Sequence, residues 1–163
     1  MSSDTLTTLA ILVGAKLKAK GLMLATAESC TGGWVAQAIT AISGSSAWFE
    51  RGFVTYSNAA KEEMLGVAAA TLQAHGAVSE ETAREMAVGA IACSHAQVSV
   101  AITGVAGPTG GTTDKPVGMV CFAWAQKDSA PVAETRHFEG DRESVRRQSV
   151  IHALQGVLRL LDG

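Results

Sequence analysis

Basic residues are scarce in this chain. Thirteen Lys and Arg stand against 15 Asp and Glu, a net charge of −2 with no basic stripe. A surface built to neutralise many phosphates is therefore excluded, and nucleic acid is not an expected partner. A small anion held by one or two arginines stays open. Cysteine is sparse too: Cys30, Cys93 and Cys121 are scattered and form no C-x-x-C, the pattern of reduced thiols in a cytoplasmic protein. His75, His95, His137 and His152 have neither metal spacing nor partner cysteines, so no metal and no other cofactor is expected. No apolar run is long enough to span a bilayer, and residues 1–20, carrying Lys16, Lys18 and Lys20, do not read as a signal peptide. A membrane is excluded on the same reading. Three prolines and a single tyrosine rule out most low-complexity classes.

What remains is a chain that packs. At 163 residues and 47% apolar, it reads as one domain, 1–163, able to bury about two-thirds of its unfolded surface. Leu6, Leu9, Val13 and Leu17 recur at helical spacing, and Gly21 is a stop. Strands are expected at 22–26, 48–56, 98–103, 117–125 and 132–138. Helices fall between them, with Asn58, Ser79 and Asp141 as caps. Early strands separated by helices need crossovers, so the fold class is α/β: a three-layer α/β/α domain with a mostly parallel mixed sheet and a late antiparallel hairpin.

The stretch Ala25-Thr26-Ala27-Glu28-Ser29-Cys30-Thr31-Gly32-Gly33-Trp34 is the most informative. An apolar strand ends abruptly in small polar residues, and a helix begins at about Gly32. A serine there exposes its hydroxyl beside the unpaired N–H groups of an open helical turn, which suit a phosphate or an oxyanion. The plainer alternative is a turn whose glycines only permit tight packing. Lys61 lies in the first turn of the next helix, where a cation opposes the dipole at a cost of about 0.3–1 kcal/mol. Helical side chains lean towards the N-terminus, so its amine is expected to point back at Tyr56. Ser29 and Tyr56 both end strands, and a parallel sheet brings such ends to one crevice. A neutral lysine can serve a serine as base. An ordinary lysine keeps its proton to about pH 10.4, so half-neutrality at pH 7 needs surroundings that disfavour the charge by about 4 kcal/mol. An ordinary surface lysine is the alternative.

Two further segments fit an anionic ligand. The loop from Thr103 through Gly104 and Gly107 to Gly118 allows close approach of backbone amides, but lacks the Gly-Lys-Ser/Thr of a Walker loop and leads to a strand. Asp141 to Arg147 opens the last helix with three arginines, and Arg142 and Arg146 share a face that could grip a phosphate. A long β–β connection and a solvated helix start are the plainer readings. Cys30 is a rival nucleophile with no nearby histidine in sequence.

At these residues the chain resembles the CinA C-terminal domain family, and in particular its free-standing bacterial nicotinamide mononucleotide amidohydrolases. The matching blocks are TAESCTGGWVAQAIT, SGSSAWFERGFVTYSNAAKEEMLGV, HGAVSEETAREMA, AITGVAGPTGG, KPVGMV and FEGDRESVRRQSV. The additional N-terminal domain of larger family members has no counterpart in them. The resemblance implies hydrolysis of the carboxamide of nicotinamide mononucleotide (NMN) to nicotinate mononucleotide and ammonia. It also implies a homodimer or higher homo-oligomer. The family's serine–lysine chemistry maps onto Ser29 and Lys61, with Tyr56 close by to relay or orient the proton. Thr31, Gly32 and Gly33 are the expected oxyanion donors. Ser46 belongs to a family motif and is expected to line the site, and Thr103 and Arg142 to lie near the nucleotide. A non-catalytic nucleotide-sensing or protein-interaction domain is the rival class.

Overall fold

The structure is a computed structural model that describes residues 2–162. In chain order it contains α1 (Ser2–Lys20), β1 (Leu24–Glu28), α2 (Trp34–Thr40), a 3-10 turn (Ser45–Ala47) and β2 (Phe49–Val54). Then follow α3 (Asn58–Leu65), α4 (Ala69–His75), α5 (Glu80–Ala92), β3 (Val98–Gly104), β4 (Met119–Gln126), β5 (Val132–His137) and α6 (Arg142–Asp162). The strands form one sheet in the order β2-β1-β3-β4-β5. β1 pairs in parallel with β2 and β3, whereas β4 is antiparallel to both β3 and β5. Only β4 runs against the rest, so the expected mixed, mostly parallel sheet with a closing hairpin is found.

Alternation along the strands divides the core by size. Leu24, Val98, Val100, Ile102, Val120, Phe122 and Trp124 face α1, α2 and α6. Ala25, Ala27, Ala101, Cys121, Ala123 and Ala125 face the other side, against α5 and the helices before it. Small residues there let α5 lie close to the sheet, and Ser99 Oγ donates to Ala87 O at 2.7 Å. On the large-residue face, a Cβ at Gly156 of α6 would sit 2.0 Å from the Trp124 ring. The glycine is what lets helix and strand meet.

Register sets the site. Glu28, Val54 and Ile102 are level in neighbouring parallel strands, so the residues after them share the carboxyl rim of the sheet. The end signals place α3, α5 and α6, with one correction. Ser79 accepts from Thr82 N and Asp141 from Ser144 N, as expected. At α3 the cap is Ser57, whose hydroxyl accepts from Ala60 N at 3.0 Å, and not Asn58. Both residues are good caps, and the chain turns one position earlier than the sequence pattern implied. No helix among the described residues is long and apolar enough to cross a membrane.

Candidate active site

Ser29 is the first residue beyond β1, and its backbone N–H is held by Ile102 O at 3.0 Å. Lys61 reaches it from the first turn of α3. Its Nζ lies 3.0 Å from Ser29 Oγ, 2.8 Å from Thr55 O and 3.3 Å from Tyr56 O. The side chain leans back towards the end of β2, the direction that helix geometry dictates. It is 1% exposed, a lysine inside the protein. It forms no ion pair with a carboxylate among the described residues, and burial pushes its pKa below the ordinary lysine value. A neutral amine has two protons and one lone pair. Two carbonyls can accept the protons, which leaves the lone pair for the serine hydroxyl.

Around this pair lies a cleft of about 180 Å³, lined by Ser29, Cys30, Tyr56, Lys61, Thr103 and Arg142 among others. Ala77, Val78, Gly104 and Ala106 complete its wall. Thr103 Oγ1 donates to Ala77 O at 2.8 Å and so ties that wall to β3. Tyr56 lies beyond β2 and is 64% exposed. Its carbonyl meets the lysine, while its hydroxyl accepts from Arg142 Nη2 at 3.3 Å at the mouth of the cleft. Arg142 Nη1 also donates to Gly107 O at 2.8 Å. Gly107 therefore turns a carbonyl towards the site entrance through this arginine, and not the amide that the sequence reading gave it.

The open helical turn is not open. Glu28, 1% exposed, fills it. Its Oε1 accepts from Thr31 Oγ1 at 2.6 Å, Gly33 N at 3.2 Å and Val35 N at 2.9 Å, and its Oε2 accepts from Ala36 N at 3.0 Å. The carboxylate is a built-in anion at the positive end of α2. Gly32 N is taken as well, by Ser29 O at 3.0 Å. Gly32 and Gly33 are thus removed as free donors. The N–H groups of Cys30 and Thr31 have no acceptor among the described residues, but only Cys30 lines the cleft; Thr31 is fully buried beneath it.

Two other expectations change, and one rival reading weakens. Arg146 is not free to share a phosphate with Arg142: its Nε donates to Cys30 O and its Nη2 to Thr31 O, each at 3.0 Å. Ser46 sits exposed on the 3-10 turn at the amino end of β2, whereas the Ser29 cleft opens at the carboxyl rim. The chain does not bring it to this cleft. Burial pushes the Cys30 thiol up to about 12, so the rival nucleophile stays protonated. Sequence reasoning passed over Glu28. Its signal was a carboxylate at the strand end, seven residues before the N–H of Val35.

The fold and the cleft define a class: an α/β/α protein with a buried serine–lysine pair at the carboxyl rim of its sheet. The chain belongs to the CinA family, whose C-terminal domain model matches residues 6–161. It is similar to the nicotinamide-nucleotide amidohydrolase PncC of Enterobacter agglomerans, 54% identical over 159 residues that cover 98% of this chain and 97% of that protein. The protein of the same name from Escherichia coli K12 is 54% identical over 155 residues, 95% of this chain and 94% of the other. Among solved structures, the competence/damage inducible protein CihA from Agrobacterium tumefaciens superposes with a TM-score of 0.93 at 44% identity. That match covers 98% of this chain and 96% of that one.

Proposed function

We propose that this amidohydrolase cleaves the carboxamide of nicotinamide mononucleotide, giving nicotinate mononucleotide and ammonia, through an acyl-enzyme on Ser29. The observation that carries the reading is the 3.0 Å approach to Ser29 Oγ of a buried Lys61 amine whose other partners are two backbone carbonyls. Relatives more than half identical along nearly their whole length are named for the same activity.

Ser29 Oγ attacks the amide carbon while Lys61 Nζ takes the hydroxyl proton. The carbonyl oxygen gains the negative charge, and the Cys30 N–H at the cleft wall receives it. The C–N bond then breaks. Lys61 returns the proton to the departing nitrogen, which leaves as ammonia, and an ester remains on Ser29. Water attacks that ester with Lys61 again taking a proton, and the acid is released as Ser29 recovers its own. Tyr56 orients the lysine through its carbonyl.

The cleft is smaller than the roughly 300–1,000 Å³ sites that enclose whole drug-sized ligands. It suits the ring and its amide, with Thr103, Gly104 and the Ala77–Val78 wall around them. The ribose phosphate then projects to the mouth. There Arg142 exchanges two neutral oxygens for a charged one, a stronger hydrogen bond. The homo-oligomer implied by the family resemblance belongs to the same proposal.

A non-catalytic nucleotide sensor has no need of a lysine stripped of water beside a serine. Ammonia release from NMN by the purified protein tests the reading directly, with nicotinate mononucleotide identified as co-product. Ser29→Ala and Lys61→Ala are each expected to lower kcat by about 10³-fold or more while remaining folded. Near-normal kcat in both would remove the pair from the mechanism.

A further inference from the structure

We infer that Arg146 is a positioning residue for acyl transfer: its guanidinium locks the peptide planes of the Ser29–Gly32 turn so that the Cys30 N–H, at the cleft wall, stays aimed at the reacting carbonyl. The inference rests on the reading of Ser29 as nucleophile given above.

The geometry is a relay through three consecutive peptides. In a trans peptide the C=O and the following N–H point in opposite directions, so fixing one fixes the other. Arg146 Nε holds Cys30 O at 3.0 Å, which sets the direction of the Thr31 N–H. Arg146 Nη2 holds Thr31 O at 3.0 Å, which sets the Gly32 N–H. That N–H donates to Ser29 O at 3.0 Å and thereby sets the N–H of Cys30. The carbonyls of Ser29, Cys30 and Thr31 are all engaged, and the Cys30 N–H is left with no acceptor among the described residues. Cys30 lines the cleft, whereas Arg146 and the fully buried Thr31 do not.

The clamp is itself held. The Arg146 guanidinium lies over the Trp34 ring, 5.5 Å from its centroid. Gly32 has a φ of +61°, and a Cβ there would stand 3.4 Å from Arg146 Nη2. From below, Glu28 fixes Thr31 Oγ1 and the first amides of α2. Arg146 therefore comes 116 residues along the chain from Cys30 to finish a site to which it presents no group. A planar fork that spans two carbonyls is something lysine cannot reproduce.

Arg146→Lys keeps the charge and loses the span; Arg146→Gln keeps a planar donor and loses the reach. In either, kcat for NMN is expected to fall about fivefold or more, because the Cys30 N–H no longer meets the oxyanion. KM and the calorimetric Kd for nicotinate mononucleotide are expected to stay within about twofold. If neither variant folds, Trp34→Leu loosens the same clamp and is expected to show the same split. A folded Arg146 variant with a smaller loss in kcat overturns the inference, as does a loss carried by KM and product Kd. Ser29→Ala measured alongside separates the two claims: activity surviving there sinks the nucleophile, whereas activity surviving only in the Arg146 variants sinks the clamp.

Discussion

Lys61 is the residue on which chemistry and stability disagree. A surface lysine contributes little and loses little, but this one is buried against Ser29, Thr55 and Tyr56 and pairs with no carboxylate among the described residues. Its pKa is lowered by burial, so the folded protein favours the neutral amine relative to the unfolded chain. The unfolded state then binds the extra proton between the two pKa values, and stability rises with pH through that window. The same titration governs activity. A general base must be unprotonated, so kcat/KM for NMN is expected to climb as pH rises and to level off below the ordinary lysine value of about 10.4. A kcat/KM that nowhere rises with pH below the ordinary lysine value while Ser29→Ala is inactive would assign the base to another group. Lys61 was legible in the sequence because its place in the first turn of a helix is electrostatically wrong. Glu28 was not, because its partners are amides spread over Gly33 to Ala36 and only the folded turn gathers them.

At the scale of elements, two close approaches hold the layers together, and both use glycine. Gly14 of α1 meets the Trp48 ring and Gly156 of α6 meets the Trp124 ring, where an added Cβ would stand at 2.4 Å and 2.0 Å respectively. Trp124 Nε1 also donates to Ala153 O at 3.0 Å, pinning α6 to β4. Since α6 carries both Arg142 and Arg146, this seam sets where the cleft mouth and the turn clamp stand. Gly156→Ala gains helix propensity of about 1 kcal/mol but forces overpacking of about 1–3 kcal/mol. A lowered melting temperature by calorimetry is the expected net result, together with reduced kcat. An unchanged melting temperature would show that Trp124 can move aside. Strand and helix positions were readable from periodicity and caps, with Ser57 in place of Asn58 as the one displaced cap. The two glycine seams were not, since nothing local says which tryptophan a glycine will face.

The whole molecule follows from one topological fact. Parallel β1, β2 and β3 deliver Ser29, Thr55 and Thr103 to one rim, and Lys61 returns to that rim from the helix that follows β2. Alternating strand and helix patterns were enough to foresee this convergence, because crossover connections leave few alternatives. Ser46 marks where that reasoning stops. Its motif is close in sequence to Tyr56, yet it lies at the amino end of β2, with the length of the strand between it and the cleft. Proximity along the chain says nothing about which end of a strand a residue will occupy.

A rapid-quench experiment with NMN, followed by intact-mass and peptide analysis, probes the acyl-enzyme without relying on variants. The account predicts a transient adduct equal to NMN less ammonia on the peptide containing Ser29, assigned to that side chain by fragmentation. The same adduct on Cys30, or on any other residue, would contradict it.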